Sequence, residues 1–160
     1  MSNNAPAPGH AAAPLPPPHP HPLALRLGYL GLLPFVFGAL LIWLLTGYDP
    51  EAHAFAALGL SCYAAVIVSF LGGMHWGLAM RSDVLGAKPY VWGLAASSLA
   101  WVAAVMPAYA GLVVHGVVLV ACYLVDRRYY PPLGAAAWLT LRFRLSAVAS
   151  LCCFLGAAGS

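Results

Sequence analysis

Long apolar segments alternate with short polar segments along most of the chain. The first two apolar segments, residues 27–45 and 54–80, are both close to or above the roughly 20 residues that a membrane helix needs. The loop between them contains Asp49 and Glu51. We therefore predict two membrane-spanning helices over these two ranges.

An uncharged run of similar character covers residues 89–125. As one helix this run would reach about 55 Å, which is too long for a single crossing. Pro107 and Gly111 bracket the natural break. The pattern therefore predicts a third span over 89–106 and a fourth over 111–125.

The last apolar segment is shorter than the others. Arg142 and Arg144 interrupt it, so we predict an interfacial helix over 134–144, anchored by Trp138. Residues 145–158 then form a short fifth span of about 20 Å, which either crosses the membrane with the arginines reaching its surface or only dips into it. The predicted fold is an all-α membrane protein, a five-span helical bundle made of four spans and a short fifth.

The first 25 residues differ from the rest of the chain in composition. Residues 1–25 are rich in proline and alanine, and proline removes a backbone donor and disrupts helices. We predict a disordered arm over 1–25, followed by a single transmembrane domain over 26–160.

Composition excludes two broad classes of protein. Hydrophobic residues make up 62% of the chain and charged residues 7%, against about 25% in a soluble domain. A soluble globular enzyme is therefore excluded. The net charge of +3 provides no basic stripe for phosphates, so we expect no nucleic-acid partner.

The few charges are placed asymmetrically. The predicted spans put all seven basic residues on the side of the leader: Arg26, Arg81, Lys88, Arg127, Arg128, Arg142 and Arg144. The opposite side receives Asp49 and Glu51. Basic loops stay cytoplasmic, so the N-terminus is predicted to be cytoplasmic.

Small residues recur every four positions along the second span. They are Ala57, Ser61, Ala65, Ser69, Gly73 and Gly77. Small residues let membrane helices approach closely, and Gly73 and Gly77 form a GxxxG pair. We predict that Ser69, Gly72, Gly73 and Gly77 pack against neighbouring helices.

Two histidines fall inside predicted spans, where ionisable groups are candidates for functional sites. His75 lies near the leader side, next to Trp76, and can either pair with Asp83 or Asp126 or contact a ligand. His115 starts from the opposite face, so the two histidines are separated by roughly 15 Å in depth. A single haem iron therefore cannot bind both of them.

The candidate functional residues of the sequence are few. They are His75, Trp76, Tyr63, His115 and Asp126. No catalytic residue set, phosphate loop or metal-ligand motif is present, and no acidic residue lies within a predicted span. We therefore predict a protein that is not an enzyme, and we expect no cofactor and no metal.

Three blocks of sequence carry a family resemblance. They are the run from Tyr29 to Phe35, the run YAAVIVSFLGGMHWG from Tyr63 to Gly77, and Asp126 with Trp138, Leu141, Arg142 and Leu145. These blocks resemble the transmembrane protein 69 family, a membrane domain of unknown function in bacteria and mitochondria. The resemblance implies a multi-span inner-membrane protein and implies no activity.

These observations favour one function and leave an alternative. The favoured function is that of a non-catalytic accessory, scaffold or assembly subunit, with the lipid bilayer and other membrane-protein subunits as partners. The alternative is a binding or transport protein for a haem, a quinone or a small solute, using His75, Trp76 and Tyr63. The leader lacks an Arg-rich presequence, which favours the bacterial inner membrane over the mitochondrial inner membrane.

Overall fold

Every regular element of the computed structural model, which describes residues 20–81 and 84–160, is helical. The helices are α1 (Pro22–Leu30), α2 (Leu33–Leu45), α3 (Pro50–Ala79), α4 (Lys88–Val105), α5 (Ala108–Tyr129) and α6 (Leu139–Gly159). A short 3₁₀ turn, Ala136–Trp138, precedes α6. The predicted all-α membrane bundle is confirmed.

Four helical segments of the described chain are long and apolar enough to cross a membrane. They are Pro22–Leu45, Pro50–Ala79, Ala108–Tyr129 and Ala136–Gly159. The remaining helix, α4, has 18 residues and carries Lys88 at its start. The helices α3 and α5 run parallel, and α4 connects the end of α3 to the start of α5. The chain of α4 must therefore pass back along the bundle.

The contact between His75 and Asp126 establishes that α3 and α5 are parallel. His75 lies near the end of α3 and Asp126 near the end of α5, and their side chains are 3.1 Å apart. Only Met106 and Pro107 separate α4 from α5. The chain therefore returns along α4 to the start of α5, and the bundle has five helical passes.

The last helix runs the whole length of the bundle. Near its start, Arg142 contacts Asp126; near its end, the Leu155 carbonyl accepts a hydrogen bond of 3.0 Å from Trp43 Nε1. A helix of 21 residues is about 30 Å long, which matches the hydrocarbon core. The predicted division into an interfacial helix over 134–144 and a span over 145–158 is therefore wrong. The reason is that Arg142 pairs inside the bundle instead of ending a helix at the interface.

The N-terminal arm was predicted one turn too long. Residues 1–19 lie outside the described residues, whereas α1 begins at Pro22 and so includes 22–25. Proline is favoured at the first helical position, where its missing N–H leaves no bond unmade. The His21 Nδ1 atom caps this end by accepting from the Leu23 N–H at 3.2 Å.

The first membrane segment is broken in its middle. Gly31 and Leu32 separate α1 from α2, and Pro34 follows, so the regular hydrogen-bond pattern is interrupted there. The Tyr63 hydroxyl of α3 donates a hydrogen bond of 2.8 Å to the Gly31 carbonyl. Such re-satisfaction by a neighbouring helix is what allows proline and glycine in membrane helices.

Gly72 of α3 and Gly93 of α4 mark a close approach of two helices. A methyl group added at Gly72 would lie 2.7 Å from the Gly93 carbonyl oxygen. Gly72 therefore packs closely against α4. By contrast, a methyl group at Gly73 or Gly77 would meet no described atom within 4 Å, so neither glycine packs against another helix of the described chain.

The geometry of the α-helix explains this outcome. A four-residue repeat advances about 40° further round the helix at each step, because one turn takes 3.6 residues. The stripe therefore begins on the buried face with Ala57 and Ser61, is partly buried at Ser69, and ends on the exposed face at Gly73 and Gly77.

Candidate functional site

A cluster of three ionisable side chains is buried between α3, α5 and α6. Arg142 Nε donates to Asp126 Oδ2 at 2.7 Å, and His75 Nε2 lies 3.1 Å from Asp126 Oδ1. His75 and Asp126 are completely buried, and Arg142 is 6% exposed. We refer to Asp126, Arg142 and His75 as the charge cluster.

The charge cluster corrects two predictions. Asp126 was placed in a loop after the fourth span, but α5 continues to Tyr129 and includes it. Arg142 was assigned to the membrane surface, yet its guanidinium lies inside the bundle. Buried charges are costly unless they are paired, and here each charge faces its opposite.

His75 has an oxygen atom beside each of its ring nitrogens. Nδ1 lies 3.0 Å from the Leu71 carbonyl oxygen, and Nε2 faces Asp126. The rings of Tyr129 and Tyr130 are each 5.9 Å from the imidazole. The Nε2 and Oδ1 atoms are close, but they form no hydrogen bond among the described residues.

Tyr130 also borders the charge cluster and is 1% exposed. Burial raises the pKa of its hydroxyl to about 12, with a further contribution from the Asp126 carboxylate. The phenol is therefore neutral at physiological pH and adds no charge of its own.

The other candidate residues do not join the charge cluster. Trp76 Nε1 donates to the Tyr90 carbonyl at 3.0 Å, which ties the end of α3 to α4. Tyr63 is engaged with Gly31, as described above. His75, Trp76 and Tyr63 thus have separate partners, and the structure does not bring them together at one ligand site.

His115 is buried far from the cluster. It precedes Asp126 by 11 positions on α5, which corresponds to about 16 Å along the helix. Neither of its ring nitrogens has a hydrogen-bond partner among the described residues. This separation agrees with the expected difference in depth, and His75 and His115 cannot ligate one metal ion.

No group of three or more His, Cys, Asp or Glu side chains in residues 20–81 and 84–160 could hold a metal ion. The charge cluster itself contains one carboxylate and one imidazole, with a guanidinium against the carboxylate. Its geometry is that of an ion-pair network.

Arg142 is the site residue that reasoning from sequence missed. Sequence patterns place arginines near an interface, and Arg142 stands beside Arg144, which is indeed exposed and donates to the Tyr29 hydroxyl at 3.3 Å. The available signal was helical spacing, because Arg142, Leu145 and Ala149 lie on one face of a continuous helix. That face turns towards the bundle, with Ala149 buried.

Comparison with known proteins supports the membrane assignment. Residues 20–158 match a family described as a protein of unknown function, DUF3429. The chain is also 44% identical over 84 residues to Transmembrane protein 69 of Xenopus tropicalis, a match that covers 50% of this chain and 31% of that protein. No solved structure matches.

The matched family region includes α1 to α5, all of α6 except its last residue, and all three members of the charge cluster. The chain spans about a third of the length of the curated relative. The family resemblance found in the sequence is confirmed, and the protein is a membrane protein that belongs to the DUF3429 family.

Proposed function

We propose that this membrane protein is a non-catalytic accessory or assembly subunit that docks a spanning helix of another membrane protein against the outer face of α3. The observation that carries the proposal is a set of open glycines on that helix. Gly59, Gly73 and Gly77 have no described atom within 4 Å of the position that a Cβ would occupy.

These glycines are costly for the chain on its own. Glycine in the interior of a helix destabilises the helix by about 1 kcal/mol relative to alanine. This loss is offset only where a neighbouring helix comes so close that a side chain would not fit. Gly72 meets such a requirement through Gly93, whereas Gly73 meets none within the described chain. Close approach of a further helix supplies a physical reason for glycine here.

The same face of α3 also presents large apolar side chains. Val66 and Phe70 are 63% and 62% exposed, and they lie between Gly59 and Gly73 along the helix. Glycine grooves flanked by bulky apolar side chains give a partner helix both close contact and side chains to pack against. The partner is therefore expected to present small residues of its own.

The docking proposal predicts that substitution of two glycines releases the partner. We expect wild-type protein, expressed at its native level and extracted in mild detergent, to co-purify with a larger membrane complex. Gly73→Leu/Gly77→Leu should abolish this co-purification, because the new side chains fill the groove. The variant chain itself should remain folded, since neither position has a neighbour within 4 Å.

A matched control is available on α4. Val91 is 66% exposed, so Val91→Leu adds bulk to a different outer face and should leave the complex intact. Recovery of the wild type only as an isolated monomer would refute the proposal. Retention of the complex by the double variant, or assembly only with a second copy of this chain, would also count against it.

The charges support a proposal for orientation. The basic residues of α1, α5 and α6 gather at the end of the bundle that holds the charge cluster, whereas Asp49 and Gly159, the last residue of α6, lie at the opposite end. His53 Nε2 lies 2.8 Å from the Gly159 carbonyl oxygen. We place the basic end in the cytoplasm of a bacterial cell, with the protein in the inner membrane.

This orientation predicts the accessibility of the two ends. A cysteine introduced at Ser160 should react with a membrane-impermeant maleimide in intact spheroplasts, while one at Arg128 should react only after lysis. Both are compared in a background with Cys62→Ala, because Cys62 is the exposed native thiol of the described residues. The reverse labelling pattern would overturn the proposed orientation.

A further inference from the structure

A cavity of about 430 Å³ lies between the first membrane segment, α3 and α6. Its floor is formed by buried side chains, among them Phe35, Leu71 and Ala149. Leu27 of α1 and Phe70 of α3 line its edge and are 57% and 62% exposed on the outer surface of the bundle. The cavity therefore opens sideways between α1 and α3, towards the lipid that surrounds a membrane protein.

The cavity is elongated along the axis of the bundle. Its α6 wall runs from Trp138 to Ala149, 11 positions that span about 16 Å of helix. The wall on the first membrane segment covers the same number of positions, from Ala24 to Phe35. One leaflet contributes about 15 Å of the roughly 30 Å hydrocarbon core. The length of the cavity therefore matches the apolar layer of a single leaflet.

The surface inside the cavity is almost entirely apolar. Arg142 and Ser146 contribute to its walls, but Arg142 Nη2 and Ser146 Oγ are buried and offer no accessible polar surface. A hydrocarbon chain gains dispersion contacts with such walls. A dry apolar cavity of about 150 Å³ already takes up benzene, and this one is about three times as large. The walls therefore suit a hydrocarbon chain.

The outer end of the cavity leads to a basic side chain. Trp138, an aromatic residue of the type that anchors helices at the interface, lines this end. On α3, Arg81 follows Met74 of the cavity wall by seven positions, which are two helical turns or about 10 Å. The Arg81 N–H still donates to the Leu78 carbonyl, so the chain remains wound there. Arg81 is exposed on the side of the cavity, where it attracts an anionic headgroup.

We propose that the cavity binds one acyl chain of an anionic phospholipid from the leaflet at the basic end of the bundle. The acyl chain enters sideways between α1 and α3 and lies along the α6 wall, with its methyl end near Phe35 and Ala149. The phosphate lies near Arg81, and the second acyl chain remains in the bilayer.

The lipid site borders the face of α3 that is proposed to dock a partner helix, because Phe70 belongs to the edge of both. The lipid experiment uses the isolated chain, whereas the docking experiment measures recovery of a complex. Either proposal can therefore fail alone.

Native mass spectrometry of the purified full chain tests the lipid site. The chain is extracted in mild detergent, stripped of lipid and titrated with dioleoyl phosphatidylglycerol or with dioleoyl phosphatidylcholine, which has the same acyl chains. We expect one retained phosphatidylglycerol molecule per chain. Binding of phosphatidylcholine should be about fivefold weaker, because a single basic side chain near the membrane surface gives about that preference for an anionic lipid.

A matched pair of variants on α1 tests the cavity itself. Leu27→Trp should lose the retained lipid, because the indole occupies the space of the acyl chain at the opening. Leu23→Trp is the same change one turn earlier, at a side chain that is also 57% exposed but does not line the cavity, and it should bind as the wild type does. Ala149→Leu fills the floor and should act like Leu27→Trp. Should it fail to fold, the pair on α1 decides.

Arg81→Gln tests the headgroup. This variant should still retain lipid but should bind the two phospholipids equally, because the charge that favours the anionic headgroup is gone. Arg128→Gln is the control: it removes another exposed arginine at the same end of the bundle, on α5, and should keep the wild-type preference.

Several results would overturn the proposal. If the wild type retains no lipid, or if Leu23→Trp loses it as Leu27→Trp does, the cavity is not the site. Equal binding of both phospholipids by the wild type, or an unchanged preference in Arg81→Gln, would reject the anionic headgroup near Arg81. A molecule without phosphorus retained from native membranes would replace the phospholipid with a neutral apolar ligand.

Discussion

Asp126→Ala is expected to destabilise the bundle by about 3–5 kcal/mol, because it leaves the buried Arg142 guanidinium without its carboxylate. The measurement is equilibrium unfolding in mixed micelles with increasing denaturing detergent, followed by helical circular dichroism. Glu51→Ala is the control, since it removes an exposed carboxylate at the opposite end of the bundle and should change little.

A double variant distinguishes loss of charge balance from loss of packing. Asp126→Leu combined with Arg142→Leu removes both members of the buried ion pair, so neither is left without its opposite charge. Replacement of a whole buried ion pair by apolar residues is often neutral or stabilising. We therefore expect the double variant to recover most of the lost stability. Equal stability of Asp126→Ala and Glu51→Ala would show that the cluster does not contribute to folding.

Gly72→Ala and Gly73→Ala are expected to change stability in opposite directions, although the two residues are neighbours on α3. At Gly72 the added methyl group meets the Gly93 carbonyl oxygen at 2.7 Å, so α3 and α4 must separate, at a cost of about 1–3 kcal/mol. At Gly73 the methyl group has open space, and the higher helix propensity of alanine stabilises the isolated chain by up to about 1 kcal/mol.

The same unfolding experiment compares the two glycine variants on the purified chain. Each variant is the control of the other, because both replace a glycine of α3 with alanine. Destabilisation of both to the same extent would mean that helix propensity and local packing do not explain the result. A stable Gly72→Ala protein would contradict the close approach of α3 and α4.

The membrane bundle could be predicted from the chain because apolar length and charge position follow directly from the properties of a bilayer. The predicted spans 111–125 and 145–158 lie within α5 and α6, and the spans 54–80 and 89–106 each extend one residue beyond α3 and α4. Pro107 marks the turn between α4 and α5. The end of the first segment was also recognisable, since Leu45 is its last helical residue. These features depend on local composition alone.

The sequence offered a pairing of His75 with Asp126, but the ion pair of Asp126 with Arg142 could not be predicted, because it depends on which helices become neighbours. Asp126 and Arg142 both lie near the ends of apolar segments, where charges ordinarily mark the interface. Only the antiparallel pairing of α5 with α6, and the parallel placement of α3, bring His75 to the same point. Sequence distance carries no information about that arrangement.

The small-residue stripe of α3 shows a second limit of prediction from the sequence. Its period of four residues predicts helix packing, but the direction in which the stripe points depends on the rotation of α3 within the bundle. Gly72, which does not belong to the four-residue repeat, makes the close contact, whereas Gly73 does not. The small residues in the sequence indicated that α3 packs closely, but only the packing of the bundle determines which face of α3 makes the contact.

The pairing of Asp126 with Arg142 has a consequence for membrane insertion. Either helix inserted alone would carry an uncompensated charge into the bilayer, at a cost of about 2.5–3.5 kcal/mol near the centre on insertion scales. The connection from α5 to α6 is short and contains Gly134, whose φ of 74° suits a tight turn. Together these features favour entry of α5 and α6 as a helical hairpin in which the two charges neutralise each other.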